Sequence, residues 1–260
     1  MIDICVNWFK PAFNKDREQV IQRAREAGLK RIFSTGSTLE NSQQAAELAK
    51  SSPDFFSASA GIHPHYSSSW DETTARELEE LIKLDQVLAV GECGLDFNRN
   101  FSTAEEQILA FEKQIDLAIK YQKPLFMHQR DAHEAFMSCL KKKRHQFSKG
   151  VVHCFTGTKK ELEDYLELDL HIGLTGWICD ERRGYHMHKF IPKIPLNRLM
   201  IETDAPYLIP RNMKPRPSRN EPAFLVHILE QLAEIYRKPL TKIVGEIENS
   251  TQLFYDLKID

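Results

Sequence analysis

Residues 199–210 read LMIETDAPYLIP, and this short stretch contains the pattern that decides the fold. Its apolar start suits a buried strand, and the strand then ends in two carboxylates, Glu202 and Asp204. Pro206 cannot donate a hydrogen bond to a neighbouring strand, so it favours an exit into a loop. Parallel sheets of α/β proteins place their chemistry at the carboxyl ends of their strands. If the whole chain follows this pattern, its other strands should also end in polar side chains.

Seven similar short apolar runs precede this one, and segments with helical spacing separate them. The eight predicted strands cover residues 2–7, 30–36, 55–61, 87–92, 124–128, 151–155, 169–176 and 198–203. Helices are predicted over residues 16–28, 37–51, 102–121 and 132–143 and in the C-terminal region, and Thr103 with Glu106 suits a capping box. Alternating strands and helices indicate a parallel sheet with helical crossovers. Eight units in 260 residues favour a single (β/α)₈ TIM-barrel domain over residues 1–260, and an open doubly wound sheet is the alternative.

Net charge, the length of the apolar runs and the cysteine content narrow the class of protein. The net charge is −2, so any contact with nucleic acid has to come from a local patch of positive charge. No apolar run reaches the roughly 20 residues of a membrane span, and the N-terminus lacks a signal-peptide pattern. The five cysteines are odd in number and include no C-x-x-C pair, which favours buried thiols in a reducing cytoplasm over zinc ligation. We expect a cytoplasmic protein without a membrane contact, and a monomer by default.

Histidines and carboxylates stand at the predicted strand ends. Strand one ends in Asn7, and strand three runs into His63 and His65. The remaining polar ends are Glu92, His128, His153 and Asp204, on four different strand units. Converging imidazole and carboxylate groups are the ligands that Zn²⁺, Mn²⁺ or Mg²⁺ would use. A single histidine after a strand is more often a structural residue, but a buried Glu92 would be costly without a partner, and a metal ion satisfies all of these side chains together.

Five long motifs carry a resemblance to a known family. They are GECGLDFNRNFST (91–103), HQRDAHEAF (128–136), VVHCFTGT (151–158), HIGLTGWICDERRG (171–184) and IETDAPYLIPRN (201–212), the last followed by KPRPSRNEP (214–222). In this order, and over essentially the whole chain, they resemble the TatD family of metal-dependent deoxyribonucleases. The resemblance implies an amidohydrolase-like TIM barrel. It also implies a cytoplasmic, Mg²⁺-dependent 3′–5′ exonuclease for single-stranded DNA and RNA, with a suggested role in repair of oxidative DNA damage.

The same resemblance assigns roles to individual residues. It implies that Glu92, His128 and His153 are metal ligands and that Asp204 is a ligand or the catalytic base, so Asp204 and Glu92 are the predicted catalytic residues. Many members of the family begin with D-x-H-x-H, whereas this chain has Cys5 and Asn7 at the two histidine positions. We therefore predict one tight divalent site, with Mg²⁺ favoured and Mn²⁺ or Zn²⁺ as alternatives, and any second ion either weak or completed by a substrate phosphate.

An anionic substrate requires local positive charge near the strand ends. The predicted substrate contacts are His63, His65, Arg130, Arg182, Arg183 and Arg211, with Lys214, Arg216 and Arg219 on the same proline-rich loop as Arg211. Phe97, Trp177 and Tyr207 are candidates for stacking on bases. For any one arginine, a solvated or carboxylate-paired side chain is the alternative to a phosphate contact, so the prediction rests on the clusters. Fold and metal do not fix the substrate, so a metal-dependent amidohydrolase or esterase for a small molecule is the alternative function, and a non-catalytic binding module is a further one.

Overall fold

The computed structural model describes residues 1–258. It has eight β-strands, and all of them pair in parallel where their register is given. The strands are β1 (Ile2–Val6), β2 (Arg31–Ser34), β3 (Phe56–Ala60), β4 (Val87–Asp96), β5 (Leu125–Arg130), β6 (Gly150–Val152), β7 (His171–Leu174) and β8 (Leu199–Ile201). The helices are α1 (Arg17–Glu26), α2 (Leu39–Ser51), α3 (Glu72–Ile82), α4 (Ala104–Tyr121), α5 (His133–Lys143), α6 (Lys159–Glu167), α7 (Leu225–Tyr236) and α8 (Leu240–Tyr255).

The strands form one sheet in chain order from β1 to β8. Val6, at the end of β1, also forms a parallel bridge with Ala205, just beyond β8. A sheet whose first strand meets the segment after its last strand is a nearly closed barrel, and the predicted (β/α)₈ barrel is confirmed. Every residue of β1, β3 and β8 is buried, because helices cover one face of such strands and barrel side chains fill the other.

The chain divides into two compact units. The first contains Met1–Phe33, Cys154–Leu166 and the residues from His171 onward, and the second contains Ser34–His153 and Glu167–Leu170. In the first unit, β7 pairs with β8, and in the second unit β3, β4, β5 and β6 pair in turn. The prediction of one domain over residues 1–260 stays a prediction, and its last two residues lie outside the described part of the chain.

Local sequence explains where several helices begin. Thr103 caps α4 and Glu106 completes the predicted capping box, so two otherwise unpaired backbone N–H groups are satisfied. Thr38 and Asp71 cap α2 and α3 by accepting hydrogen bonds from backbone N–H groups of the first turn. After β7, however, the chain forms only short 3₁₀ helices before β8, so the seventh unit lacks an α-helix.

Two predictions from composition concern membrane spans and the state of the cysteines. No helix among residues 1–258 is long and apolar enough to cross a membrane. No disulfide joins the five cysteines, all of which lie in the described part of the chain, and four of them are buried. The prediction of buried thiols is therefore confirmed for Cys5, Cys93, Cys139 and Cys179, whereas Cys154 is half-buried.

Candidate active site

Glu92 is the centre of a cluster of imidazoles in the second unit. Its Oε1 atom lies 2.8 Å from Nε2 of His153, 3.2 Å from Nε2 of His63 and 3.3 Å from Nδ1 of His128. The carboxylate is buried, with 6% of the residue exposed. The predicted partners of Glu92 are thus brought together, and His63, predicted as a substrate contact, joins them.

The end of β4 is shaped by glycine. The register between β4 and β5 shifts between Val90 and Cys93, where three steps along β4 match two along β5. Such a bulge re-aims the side chain that it contains, which here is Glu92. Gly94 has φ +133°, and a Cβ atom there would lie 2.0 Å from the backbone oxygen of His128. Only glycine permits this approach, so the local sequence GECG holds β4 and β5 close at the site.

The electrostatics of the cluster favour a charged Glu92 beside a neutral His63. Burial opposes ionisation of Glu92, but the imidazoles of His63, His153 and His128 outweigh it and hold the pKa of this carboxyl well below its usual range. Burial lowers the pKa of His63 to about 4, although Glu92 acts in the opposite direction. Burial also opposes protonation of His128, but hydrogen bonds to Asp96 and Glu92 raise its pKa above the usual value.

The chemistry of the donor atoms fits a divalent metal. The ligand atoms of His63, Glu92 and His128 lie within 4.8 Å of one another. His63 is the weakest candidate of these three, because its Nδ1 accepts a hydrogen bond from the backbone N–H of His65 at 3.1 Å. A neutral ring with an accepting Nδ1 carries its proton on Nε2 and donates towards Glu92. His128 stays the predicted ligand beside Glu92, together with His153, whose Nε2 lies 2.8 Å from the same Oε1 atom.

Asp96 is a site residue that the sequence analysis missed. It lies at the end of β4 and is 1% exposed. Its Oδ2 atom is 2.8 Å from Nε2 of His65 and 3.3 Å from Nε2 of His128. Asp96 contacts Nε2 of His128, so Nδ1 of the same ring faces Glu92. Buried carboxylates orient metal-binding histidines in this way. The sequence predicts that this strand ends at Glu92, whereas β4 continues to Asp96, which is the last residue of the motif GECGLD.

Asp204 belongs to the first unit and follows β8. Its Oδ1 atom accepts a hydrogen bond from the side-chain amide of Asn7 at 2.8 Å, and the thiol of Cys5 lies 3.5 Å away. Its backbone N–H donates to the carbonyl of Cys5, and its φ is +53°. The end of β1 therefore fixes both the backbone and one carboxylate oxygen of Asp204.

Two further acids of the first unit are structural. Glu202 is fully buried, and its Oε1 accepts a hydrogen bond from the backbone N–H of Cys154 at 2.5 Å. Asp3 accepts hydrogen bonds from both the backbone N–H and the hydroxyl of Thr203, at 3.0 and 2.6 Å. The two carboxylates after β8 differ in burial, because Glu202 is fully enclosed and Asp204 is half-buried.

Comparison with known proteins places the chain in a family. The sequence profile described as "TatD related DNase" matches residues 2–256. This chain belongs to the TatD-related DNase family. A protein from Erwinia tasmaniensis described as "3'-5' ssDNA/RNA exonuclease TatD" is 52% identical over 235 residues, which is 90% of this chain and 91% of that one. A protein of the same description from Rahnella sp. is 52% identical over 258 residues, 98% of each chain.

A solved structure supports the same placement. The crystal structure of YJJV, a TatD homologue from Escherichia coli K12, has a TM-score of 0.90 and 29% identity to this chain. The alignment covers 99% of this chain and 98% of that one. The predicted TatD resemblance and the TIM barrel are confirmed, and the enzyme is a hydrolase of the TatD nuclease type.

In this TatD-family chain, three predicted phosphate-binding arginines lie in a network of ion pairs. Arg182 and Arg183 contact the buried carboxylate of Asp180 at 3.2 and 2.9 Å, and Arg211 contacts Glu181 at 3.2 Å. Hydrogen bonds from Arg182, and then from Arg183, hold the pKa of Asp180 well below its usual range, although burial opposes this. Arg182 and Arg183 still keep more than half of their side chains exposed. Their role towards the substrate stays a prediction, and a phosphate would have to compete with Asp180.

The other predicted contacts are placed differently. Arg130 is exposed at the end of β5, beyond His128. Arg219 is bonded to Asp16 and Glu221, with 20% of its side chain exposed, so it has a structural role. Of the predicted stacking residues, Trp177 has the guanidinium of Arg183 4.3 Å from its ring, whereas Tyr207 is 49% exposed.

Proposed function

We propose that this protein is a metal-dependent 3′–5′ exonuclease that hydrolyses phosphodiester bonds of single-stranded DNA and RNA. The observation that carries the proposal is the buried Glu92 carboxylate with three imidazoles within 3.3 Å, in a chain of the TatD-related DNase family. A bound divalent ion supplies Lewis acidity there, polarising the phosphoryl group and lowering the pKa of water. Mg²⁺ is the ion we favour, with Mn²⁺ and Zn²⁺ as alternatives.

The residues of the chain divide the remaining work. Glu92, His128 and His153 hold the ion, and Asp96 orients His128. Asp204 accepts the proton of the attacking water or joins the ligands, and its Oδ1 is steadied by Asn7. The bond between phosphorus and the 3′ oxygen of the upstream nucleotide breaks, and a bond from phosphorus to the water oxygen forms. The departing 3′ oxygen takes a proton from His63, His65 or water and leaves as a hydroxyl group. His63, His65 and the arginines Arg130, Arg182, Arg183 and Arg211 are the proposed substrate contacts.

A nuclease assay tests the proposal directly. The purified protein is incubated with 5′-labelled single-stranded DNA or RNA in the presence of Mg²⁺, Mn²⁺ or a chelator. We expect a ladder that shortens from the 3′ end with metal and no products with chelator. Asp204→Asn should retain metal by calorimetry and lose at least about 100-fold in turnover, because the amide cannot take a proton. Intact substrate with every metal, or wild-type turnover in Asp204→Asn, would contradict the proposal or the role of Asp204.

The remaining expectations accompany this function as proposals. We propose that the enzyme acts as a cytoplasmic monomer, and a role in repair of oxidative DNA damage stays a prediction from the resemblance. Cys5 and Asn7 support one tight metal site, because Asn7 turns its amide N–H towards Asp204. Calorimetric titration without substrate should give one tight binding event. No specific observation favours the small-molecule amidohydrolase or esterase.

A further inference from the structure

We propose that Phe101, with Tyr66 beside it, forms a stacking platform for an unpaired nucleobase next to the Glu92 cluster. We call these two residues the aromatic rim. The proposal rests on the proposed nuclease function and adds a subsite for one base of a single-stranded substrate. It uses residues other than the predicted contacts Phe97, Trp177 and Tyr207, although Phe97 lies in the same segment after β4 as Phe101.

Phe101 is an exposed aromatic residue that is connected to the site by a short series of contacts. It is 65% exposed, and its ring meets the ring of His65 nearly perpendicularly at 4.9 Å between centroids. The ring of His65 lies 4.3 Å from that of His63, whose Nε2 is 3.2 Å from Glu92. Only two imidazoles therefore separate Phe101 from the central carboxylate. Tyr66 is 40% exposed, and its ring lies 6.4 Å from that of His63.

The two segments that carry the rim are held in place before any ligand binds. The Oδ1 atom of Asp96 accepts hydrogen bonds from the backbone N–H groups of Asn98 and Arg99 at 3.0 and 2.9 Å. The hydroxyl of Ser102 donates to the carbonyl of His65 and accepts from the backbone N–H of Ser68, which joins the Phe101 loop to the Tyr66 segment. An exposed ring on an anchored loop can bind a partner without the entropic cost of ordering that loop.

The chemistry of the rim suits a base of a nucleic acid. The ring of Phe101 offers a flat apolar surface, and the guanidinium of Arg99 lies 5.7 Å from its centre. A stacked base needs such a surface, and the adjacent phosphate needs a cation. Bases in a duplex are already stacked, so the rim would favour single strands. An aliphatic partner would use the ring but not the positive charge of Arg99.

Binding to abasic oligonucleotides tests the platform without catalysis. The probe is a fluorescent single-stranded DNA of about twelve nucleotides, measured by anisotropy in chelator, with one abasic residue moved along its 3′ end. Phe101→Ala should weaken binding of the intact strand by about 5- to 150-fold, the range for loss of one stacked base, and Phe101→Trp should retain it. Leu253→Ala, which removes a side chain that is 66% exposed on α8, is the matched control and should change binding less than twofold.

If Phe101 stacks on a base, removing the ring and removing that base should not have additive effects on the binding free energy. In the wild type, one abasic position should weaken binding as much as Phe101→Ala does, and the variant should lose nothing further at that position. Duplex DNA should be insensitive to the substitution. Equal abasic penalties in wild type and Phe101→Ala, a Phe101→Ala affinity within twofold of wild type, or no measurable binding by the wild type would overturn the platform. Wild-type binding without metal-dependent cleavage would instead contradict the proposed nuclease function and leave the platform standing.

Discussion

At the scale of single residues, one oxygen of Glu92 faces three ring nitrogens, and two of these imidazoles, His63 and His128, have different second contacts. His63 accepts from a backbone N–H, whereas His128 reaches Asp96. The second contact of a ring therefore determines which of its nitrogens faces Glu92 and whether that nitrogen carries a proton. A nitrogen with a proton donates a hydrogen bond, whereas a nitrogen without one can bind a metal. The sequence predicts that these residue types lie at strand ends. It does not show which ring nitrogen of each histidine carries the proton.

Asp96→Asn should weaken divalent metal binding by about 10- to 100-fold, the usual effect of losing a carboxylate that orients a metal-binding histidine. An amide presents a donor where Nε2 of His128 needs an acceptor, so the ring loses its preferred tautomer. Calorimetric titration with Mg²⁺ or Mn²⁺ measures the effect, and nitrogen NMR of the histidine rings reports the tautomer. Asp131→Asn, in the loop after β5, is the matched control and should bind metal as the wild type does. An unchanged affinity in Asp96→Asn would show that Asp96 does not orient His128.

Asn7→Ala should lower kcat by about 5- to 50-fold, because a hydrogen bond to a charged group contributes roughly 1.5–3 kcal/mol and part of that is recovered by water. The lost bond is the one from the Asn7 amide to Oδ1 of Asp204. KM for single-stranded DNA should change little, since Asn7 acts through Asp204. Steady-state kinetics separates the two constants, and Asn14→Ala at an exposed position is the control. A rise in KM at constant kcat would make Asn7 a substrate contact instead.

At the scale of elements, the approach of β4 to β5 depends on Gly94. Gly94→Ala should destabilise the protein by at least about 2 kcal/mol, because the added Cβ would meet the backbone oxygen of His128 at 2.0 Å. Metal affinity should fall with it, since β5 carries His128. Gly245→Ala on α8 is the opposite case: nothing lies within 4 Å of its added Cβ, and a gain of roughly 0.5–1 kcal/mol is expected. Urea unfolding of both variants checks the pair, and equal effects would contradict the close contact.

Asp3 on β1 accepts hydrogen bonds from Thr203, just after β8, and its carboxyl group should make the free energy of unfolding depend on pH. Burial raises the pKa of this carboxyl to about 8, although hydrogen bonds from Thr203 and Cys5 act in the opposite direction. The folded chain then holds a proton that the unfolded chain loses near pH 4, so the contribution of Asp3 is fully present below that pH and is lost as pH rises to about 8. Asp3→Asn keeps a neutral side chain, so its stability relative to the wild type should increase as the pH rises from about 4 to about 8. Thermal unfolding across that range that shows a constant difference would contradict the raised pKa.

The ends of the strands show most clearly how much of this fold can be predicted from the sequence. All eight strands were predicted, because buried parallel strands are short apolar runs with polar residues after them. Strand β4 was predicted to end at Glu92 but continues to Asp96, since glycines that usually mark turns here allow a close approach to β5. Asp96 was missed for that reason. The pairing of Asn7 with Asp204 was also missed, because it joins residues that are 197 positions apart.

At the scale of the whole molecule, the net charge of −2 means that long-range attraction does not bring a polyanion to the site. Binding therefore has to depend on a few local contacts. Each phosphate contact to a single strand contributes about −0.7 to the slope of log K against log salt concentration. A protein that uses two or three cations should show a shallow slope of roughly −1.4 to −2.1.

The arginines after β7 provide the last prediction. Arg182→Glu with Arg183→Glu should weaken binding of single-stranded DNA and make the salt slope shallower by about 1.4, the share of two phosphate contacts. Their present partner is Asp180, so the reversal also places new acids beside a buried carboxylate. Lys141→Glu with Lys142→Glu on α5 changes the net charge by the same amount and is the matched control. Anisotropy at several salt concentrations separates the outcomes: equal slopes in both variants would assign the arginines to the Asp180 ion pairs alone.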